Sequence, residues 1–184
     1  GNAMTYLSPT WKRVSDTQSS RGADEGPLLV VRADDDLGIV ELLTERYGHD
    51  ATGNRIRQIA IGAGGLSSLS SFSKVAGCSA VWFLGGVPQS AGNDRDTIAS
   101  AVDVGARSLV RLMQAIDGLE RAQRPRSLTI VTADAQCVAQ DDTALLWGTF
   151  MPGMARSIAA EYQDLRVRVV DLSGNEWRSS EGAE

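Results

Sequence analysis

Apolar residues along this chain fall into short continuous runs that alternate with longer stretches of helical spacing. Leu28-Leu29-Val30-Val31 is such a run, as expected of a strand buried on both faces. Ile56, Ile59 and Ile61 begin a second, Ala80 to Leu84 form a third, Leu128 to Thr132 a fourth and Val167 to Leu172 a fifth. Between the first two, Leu37, Val40, Leu42 and Leu43 make a helical stripe to Tyr47, with Gly48 as a stop. Leu66, Leu69, Phe72 and Val75 repeat that spacing as far as Gly77. Gly85-Gly86-Val87-Pro88 to Asn93 reads as a turn-rich loop. The longest stripe starts at Asp94 and passes through Ile98, Val102, Gly105, Leu109, Leu112, Ile116 and Leu119 towards Pro125. It predicts a helix of about 30 residues, about 45 Å long, with Gly105 allowing close approach to a sheet. Thr143 to Leu165 predicts another helix, with Leu146, Phe150, Met154, Ile158 and Tyr162 or Leu165 inward. Pro152 inside it predicts a kink, or a break near its start.

Strands alternating with helices predict a parallel sheet covered by helices, the doubly wound α/β class. The organisation has four parts. Residues 1–4, Gly-Asn-Ala-Met, read as an expression-tag remnant. Residues 5–26 hold Tyr6 to Val14, an edge strand or arm because of Pro9, then a Ser-, Asp- and Gly-rich linker. Residues 27–172 form the α/β unit, and 173–184 a polar tail.

Composition narrows the chemistry. The chain has 184 residues, the size of one domain or a domain with a tail. Its 42% hydrophobic content excludes a disordered chain. Net charge is −5, and no Lys/Arg cluster stands out, which argues against nucleic-acid binding through a basic surface. No apolar run approaches the roughly 18 residues of a membrane span. Cys78 and Cys137 lack metal-ligand spacing and point to a reducing, cytoplasmic setting. With His49 as its single histidine, the chain is a poor candidate for a His-based metal site or triad. No metal is expected.

Gly62-Ala63-Gly64-Gly65-Leu66-Ser67 follows one expected strand and opens the next expected helix. A dinucleotide-binding turn belongs in such a place, because bare backbone lets a pyrophosphate approach a helix N-terminus. Gly62 and Gly64 fit G-x-G-x-x-G, but Ser67 stands at the third position, and the motif follows the second strand rather than the first. Two readings stand: a cofactor loop of Gly62, Gly64 and Gly65, or a flexible turn. Asp34-Asp35-Asp36 suit either a hard cation or a helix N-terminus, and Asp141-Asp142 suit an N-cap. A reductase that protonates through a Tyr needs a Lys nearby, usually four residues on. Four residues after Tyr6, Tyr47 and Tyr162 stand Thr10, Ala51 and Arg166, and the only lysines are Lys12 and Lys74. That proton-transfer pair is absent.

The last third carries a more specific pattern. Leu128-Thr129-Ile130-Val131-Thr132, Ala135-Gln136, Trp147-Gly148, Ala155-Arg156-Ser157, Glu161 and Val170-Asp171-Leu172 follow one another in that order. The pattern resembles the ketoreductase region of modular polyketide synthases, and within it the first, structural subdomain. Tyr6 to Val14 with Trp11 is similar to that family's opening strand, Ala80 to Leu84 to its third strand, and Gly105 to Ala115 to its long helix. The signature residues are Trp11, Trp147, Gly148, Arg156, Glu161, Asp171 and Leu172. The spacing from Trp147-Gly148 to Ala155-Arg156, with Pro152 between, departs from the family's usual one.

The resemblance implies a truncated Rossmann-like fold, with a sheet of about five to six strands, that binds no cofactor and catalyses nothing alone. NADPH would belong to a downstream catalytic subdomain of a multidomain synthase. The partners implied are that subdomain or adjacent synthase domains, and the chain would be either half of an active reductase or a pseudo-ketoreductase. Two other readings stay open: a small dinucleotide-binding oxidoreductase using Gly62–Gly65, and a free-standing interaction module. Arg156 and Glu161 lie five apart, too far round a helix to pair, so both are expected to bond loops or the partner subdomain instead, with Arg156 a candidate for a buried carboxylate such as Asp171.

Overall fold

A computed structural model describes residues 26–33, 38–47, 49–50, 53–62, 65–66, 73–87, 95–136 and 147–172. The expectations for the N-terminal strand with Trp11, for Asp34–Asp36, Gly64, Cys137 and Asp141-Asp142, and for the tail concern residues outside that set.

The apolar runs become the strands of one parallel sheet. They are β1 (Leu28–Arg32), β4 (Ile56–Ala60), β5 (Ala80–Gly86), β6 (Ser127–Ala133) and β7 (Arg166–Leu172), in the spatial order β4-β1-β5-β6-β7. A two-stranded hairpin, β2 (His49–Asp50) with β3 (Gly53–Asn54), lies between β1 and β4 in the chain and pairs His49 with Asn54. It is too short for periodicity to reveal. The buried runs behave as expected of central strands: every residue of β6 is buried, and Leu29, Val30 and Val31 are fully enclosed. The edge strand β7 instead alternates between exposed and half-buried positions.

The chain steps from β1 to β4 in one direction across the sheet, then returns to β5, β6 and β7 in the other. Parallel crossovers are right-handed, so reversing direction moves the connecting helices to the opposite face. The first crossover carries α1 (Ile39–Tyr47), whose Val40 and Leu43 pack with Leu28, Val30, Ile56, Leu84 and Val131. The other face carries α2 (Arg95–Ala101), α3 (Ser108–Asp117) and α4 (Met151–Glu161), and holds the larger core of Leu29, Val31, Phe83, Leu109, Leu112, Ile130 and Met151.

Four expectations are corrected. Leu42 is 65% exposed and points away from the α1 core contact. The long helix runs from Arg95 only to Asp117, stops at Gly118, and gives way to a 3-10 turn at Arg121–Gln123 before Pro125. Within it, Val102–Arg107 is wound as a π-helix, which inserts an extra residue into the turn. The buried face therefore passes through Ala101, Val104 and Gly105 to Ser108 and Leu109, leaving Ile98 and Val102 exposed instead of inward. The helix expected from Leu66 to Gly77 is reduced, among its described residues, to one 3-10 turn at 73–75, although Leu66 and Val75 are both core. Finally, Gly85 and Gly86 belong to strand β5 rather than to a loop. A helix start at Met151, with Pro152 in its first turn, accounts for the expected break.

Candidate functional site at the carboxyl ends of the central strands

The chain reverses direction across the sheet between β1 and β5, and ligands of open α/β sheets bind outside the carboxyl ends of strands near such a point. In β5 the pairing with β6 slips after Phe83, so that Phe83 opposes Ile130 but Gly86 opposes Thr132. One extra residue in β5 makes a bulge. It turns the Gly85 carbonyl out of the ladder, where the Trp147 indole N–H donates to it at 3.3 Å. Trp147 is buried, and the segment after it folds tightly onto the sheet.

Glycines make that approach possible. A Cβ on Gly86 would lie 2.5 Å from the Val131 carbonyl oxygen and 2.8 Å from Thr132 Cγ2. One on Gly148 would lie 3.0 Å from the Gly86 oxygen and 3.1 Å from Thr132 Cβ. One on Gly105 would meet Met151 Cε at 2.7 Å and the Gly85 oxygen at 3.1 Å. Three segments distant in sequence thus meet backbone to backbone: the β5 bulge, the π-turn of the long helix, and the Trp147-Gly148 corner.

Asp171 closes the same region from β7. Its carboxylate accepts the Thr132 hydroxyl at 2.6 Å, the Ala135 amide at 3.1 Å and the Gln136 amide at 3.0 Å. The Asp134 amide donates to the Leu172 carbonyl at 2.9 Å, with Asp134 in the left-handed region at φ 49°. The chain leaving β6 is therefore tied to the end of β7 by side chain and backbone together. Asp171 acts here as an anchor, with three donors on its oxygens.

The structure unites Trp147, Gly148, Asp171 and, through its carbonyl, Leu172. It separates the other two signature residues among those described, Trp11 lying outside them. Arg156 is exposed on α4 and does not reach Asp171, contrary to the expectation. The donors on Asp171 are local, since β6 and β7 run in register and bring Thr132 beside it. Glu161, also exposed, stands at the far end of α4 beside an open groove of about 820 Å³ lined by Ile116, Tyr162 and Leu165. Two of the groove's three arginines are engaged by acids: Arg121 with Asp164 at 2.6 Å, and Arg124 with Asp117 at 3.3 Å. Burial, then Asp117 and Glu161, push the Tyr162 hydroxyl up, against Arg124.

The Gly62–Gly65 loop follows the edge strand β4, away from the reversal point. The Gly65 amide donates to the Gly62 carbonyl at 2.8 Å, and the Leu66 amide to Ser108 Oγ at 3.1 Å. Ser108 Oγ in turn donates to the Asp103 carbonyl at 3.1 Å. Gly65 has φ +81°, and a Cβ there would lie 2.4 Å from the Asp103 oxygen. The π-turn therefore occupies the space in front of Gly65, and two amides that a phosphate would need are taken up internally.

Cys78 is a buried free thiol, pushed up by burial and drawn partly back by the Arg57 guanidinium. That guanidinium bonds the Lys74 and Ala76 carbonyls at 3.1 and 2.9 Å, capping the turn that precedes β5. Among the described residues no cluster of His, Cys, Asp and Glu could hold a metal, and no helix is long and apolar enough to cross a membrane.

Sequence reasoning missed Gly85, Gly86, Thr132 and Ser108. The only available signal was the paired glycine at the end of an apolar run, which fits a bulge as well as a loop.

No protein-family model matches this sequence, and a search of curated proteins found no match either. Solved structures do match in fold. The first ketoreductase of the tylosin polyketide synthase superposes with a TM-score of 0.60 at 19% identity, over 90% of this chain and 32% of that one. A short-chain dehydrogenase from Burkholderia cenocepacia J2315, in complex with NADP, gives 0.52 at 18% identity, over 80% of this chain and 71% of that one. A short-chain dehydrogenase from Salmonella enterica serovar Typhi gives 0.50 at 13% identity, over 88% and 83%. The fold is thus the Rossmann-like one of ketoreductases and short-chain dehydrogenases, and the chain spans about a third of the tylosin ketoreductase.

Proposed function

We propose that this chain is the non-catalytic structural subdomain of a polyketide synthase ketoreductase region, bracing a catalytic NADPH-binding subdomain or a neighbouring domain in polyketide biosynthesis. The observation that carries the reading is the use made of the polar groups where a Rossmann enzyme opens its ligand crevice. The Asp171 carboxylate is filled by Thr132, Ala135 and Gln136, and the Gly85 carbonyl by Trp147. These groups fasten segments together, which is what a scaffold needs and what a general acid or base cannot afford. The likeness to the tylosin ketoreductase supports the same reading, because about two thirds of that chain lies beyond the matched part and has room for a reacting half. In this reading the chain holds no dinucleotide of its own. A pseudo-ketoreductase differs only in that the companion half does not reduce.

The test is calorimetric titration of the purified chain with NADPH and NADP⁺, beside an assay of NADPH consumption with a β-ketoacyl thioester. Neither binding nor turnover is expected. Micromolar binding lost in Gly62→Asp would instead favour the dinucleotide-binding oxidoreductase, and turnover would overturn the scaffold outright.

A further inference from the structure

The two edges of the sheet, β4 and β7, are finished differently. In a parallel ladder, alternate residues of a strand bond one neighbour, and the residues between them face the other way. The Leu28 amide donates to the Arg55 carbonyl and the Ile61 amide to the Arg32 carbonyl. Arg57 and Ile59 of β4 therefore turn their backbone groups to β1, and Gln58 turns its own outward. That outer position is closed: Lys74 Nζ donates to the Gln58 carbonyl at 2.9 Å, and Arg57 reaches the Lys74 and Ala76 carbonyls. A lysine and a covering turn are ordinary ways to blunt a sheet edge.

The edge at β7 lacks such a cover. The Arg166 amide donates to the Arg126 carbonyl, and the Asp134 amide to the Leu172 carbonyl, both at 2.9 Å. With an unbroken register to β6, Arg166, Arg168, Val170 and Leu172 turn their backbone groups inward. Val167, Val169 and Asp171 turn theirs outward. Those three amides and three carbonyls have no partner among the described residues. The side chains beside them differ by face. Val167 and Val169 lie half-buried against the larger core. On the opposite face Arg166 and Arg168 are exposed, and their guanidinium groups are unpaired among the described residues.

We propose that β7 accepts an added strand from a partner domain, an extended segment in which apolar residues alternate with Asp or Glu. The occupant is a strand because outward N–H and C=O groups at every second residue are satisfied together by another extended backbone. Its apolar side chains would continue the row of Val167 and Val169. Its carboxylates would stand beside Arg166 and Arg168 as cross-strand pairs, which selects an acidic segment over a basic one. A second copy of this chain fits less well, because two β7 strands side by side would gather four arginines on one face. The inference stands whether or not the chain is catalytic.

The test uses the whole chain and two peptides of about six residues, one alternating Val with Glu and the other Val with Lys. The Glu peptide is expected to bind and to slow hydrogen exchange of the Val167, Val169 and Asp171 amides. N-methylation of alternate peptide amides is expected to abolish binding in one phase and to spare it in the other, since one edge of the peptide faces β7. Arg168→Glu, at an exposed position, is expected to weaken Glu-peptide binding about tenfold and to strengthen Lys-peptide binding. No binding, equal binding of the two peptides, unprotected amides, or equal loss in both methylation phases would overturn the proposal. Amides already protected in the free monomer, or protected only as the chain dimerises, would overturn it as well. The occupant would then be another segment of this chain or a second copy.

Discussion

Two glycine-rich stretches follow strands of this sheet, and they do opposite things. Gly62–Gly65 after β4 has the look of a ligand loop, yet the π-turn sits against Gly65 and takes up the Leu66 amide through Ser108. Gly85-Gly86 looks like a plain turn, yet it lies inside β5 and lets the Trp147-Gly148 corner and the long helix reach the sheet backbone. What a glycine does depends on the atoms a Cβ would meet. At Gly86 it would meet the Val131 carbonyl, at Gly65 the Asp103 carbonyl, and at Gly62 nothing within 4 Å.

Substitutions can break or sharpen this contrast. The largest effect is expected from Trp147→Ala, which empties the pocket over the β5 bulge and should cost about 3–5 kcal/mol in chemical denaturation. A loss below about 1 kcal/mol would mean that the corner is not part of the core. Gly86→Ala comes next, at about 1–3 kcal/mol or more, because a backbone carbonyl rather than a flexible side chain must yield. Asp171→Asn should cost about 1–3 kcal/mol, since its amide group turns donors towards the donors of Thr132, Ala135 or Gln136. Thermal melts would show whether the β6–β7 tie matters as much as the glycine packing.

The smallest effects test the other side of the comparison. Gly62→Ala and Arg156→Ala should each change stability by no more than about 0.5 kcal/mol, because Gly62 faces open space and Arg156 is exposed. Gly65→Ala should behave like Gly86→Ala. If Gly62→Ala and Gly65→Ala proved equally harmless, the loop would not be braced by the π-turn.

The strands were legible because each is an apolar run bounded by polar residues, and such a run can only be buried between helices. Leu28–Val31, Ala80–Leu84 and Leu128–Thr132 were placed within a residue or two for that reason. The helix phase was not legible. Ile98 and Val102 fit a regular 3.6-residue stripe, but the π-turn changes the phase, and nothing in residue spacing announces a widened turn. Part of the candidate site could be read as well: Trp147, Gly148 and Asp171 drew attention by resemblance and do converge. Their partners could not be read, since Gly85 and Thr132 contribute through a bulge and a register that exist only once β5, β6 and β7 are paired. The same holds for the error over Arg156. The spacing from Glu161 excluded a pair on one helix, and Asp171, the carboxylate offered to Arg156 instead, had closer donors on and just after the neighbouring strand.

The sequence by itself determined the parallel α/β class, the number of principal strands, and the absence of a Tyr–Lys pair at the usual spacing. These follow from local patterning, which a single chain carries in full. Only the tertiary structure decided which glycines are close-packed, which face of the long helix is buried, and where the Asp171 carboxylate is anchored. Those depend on strand order and handedness, and both arise when distant segments meet.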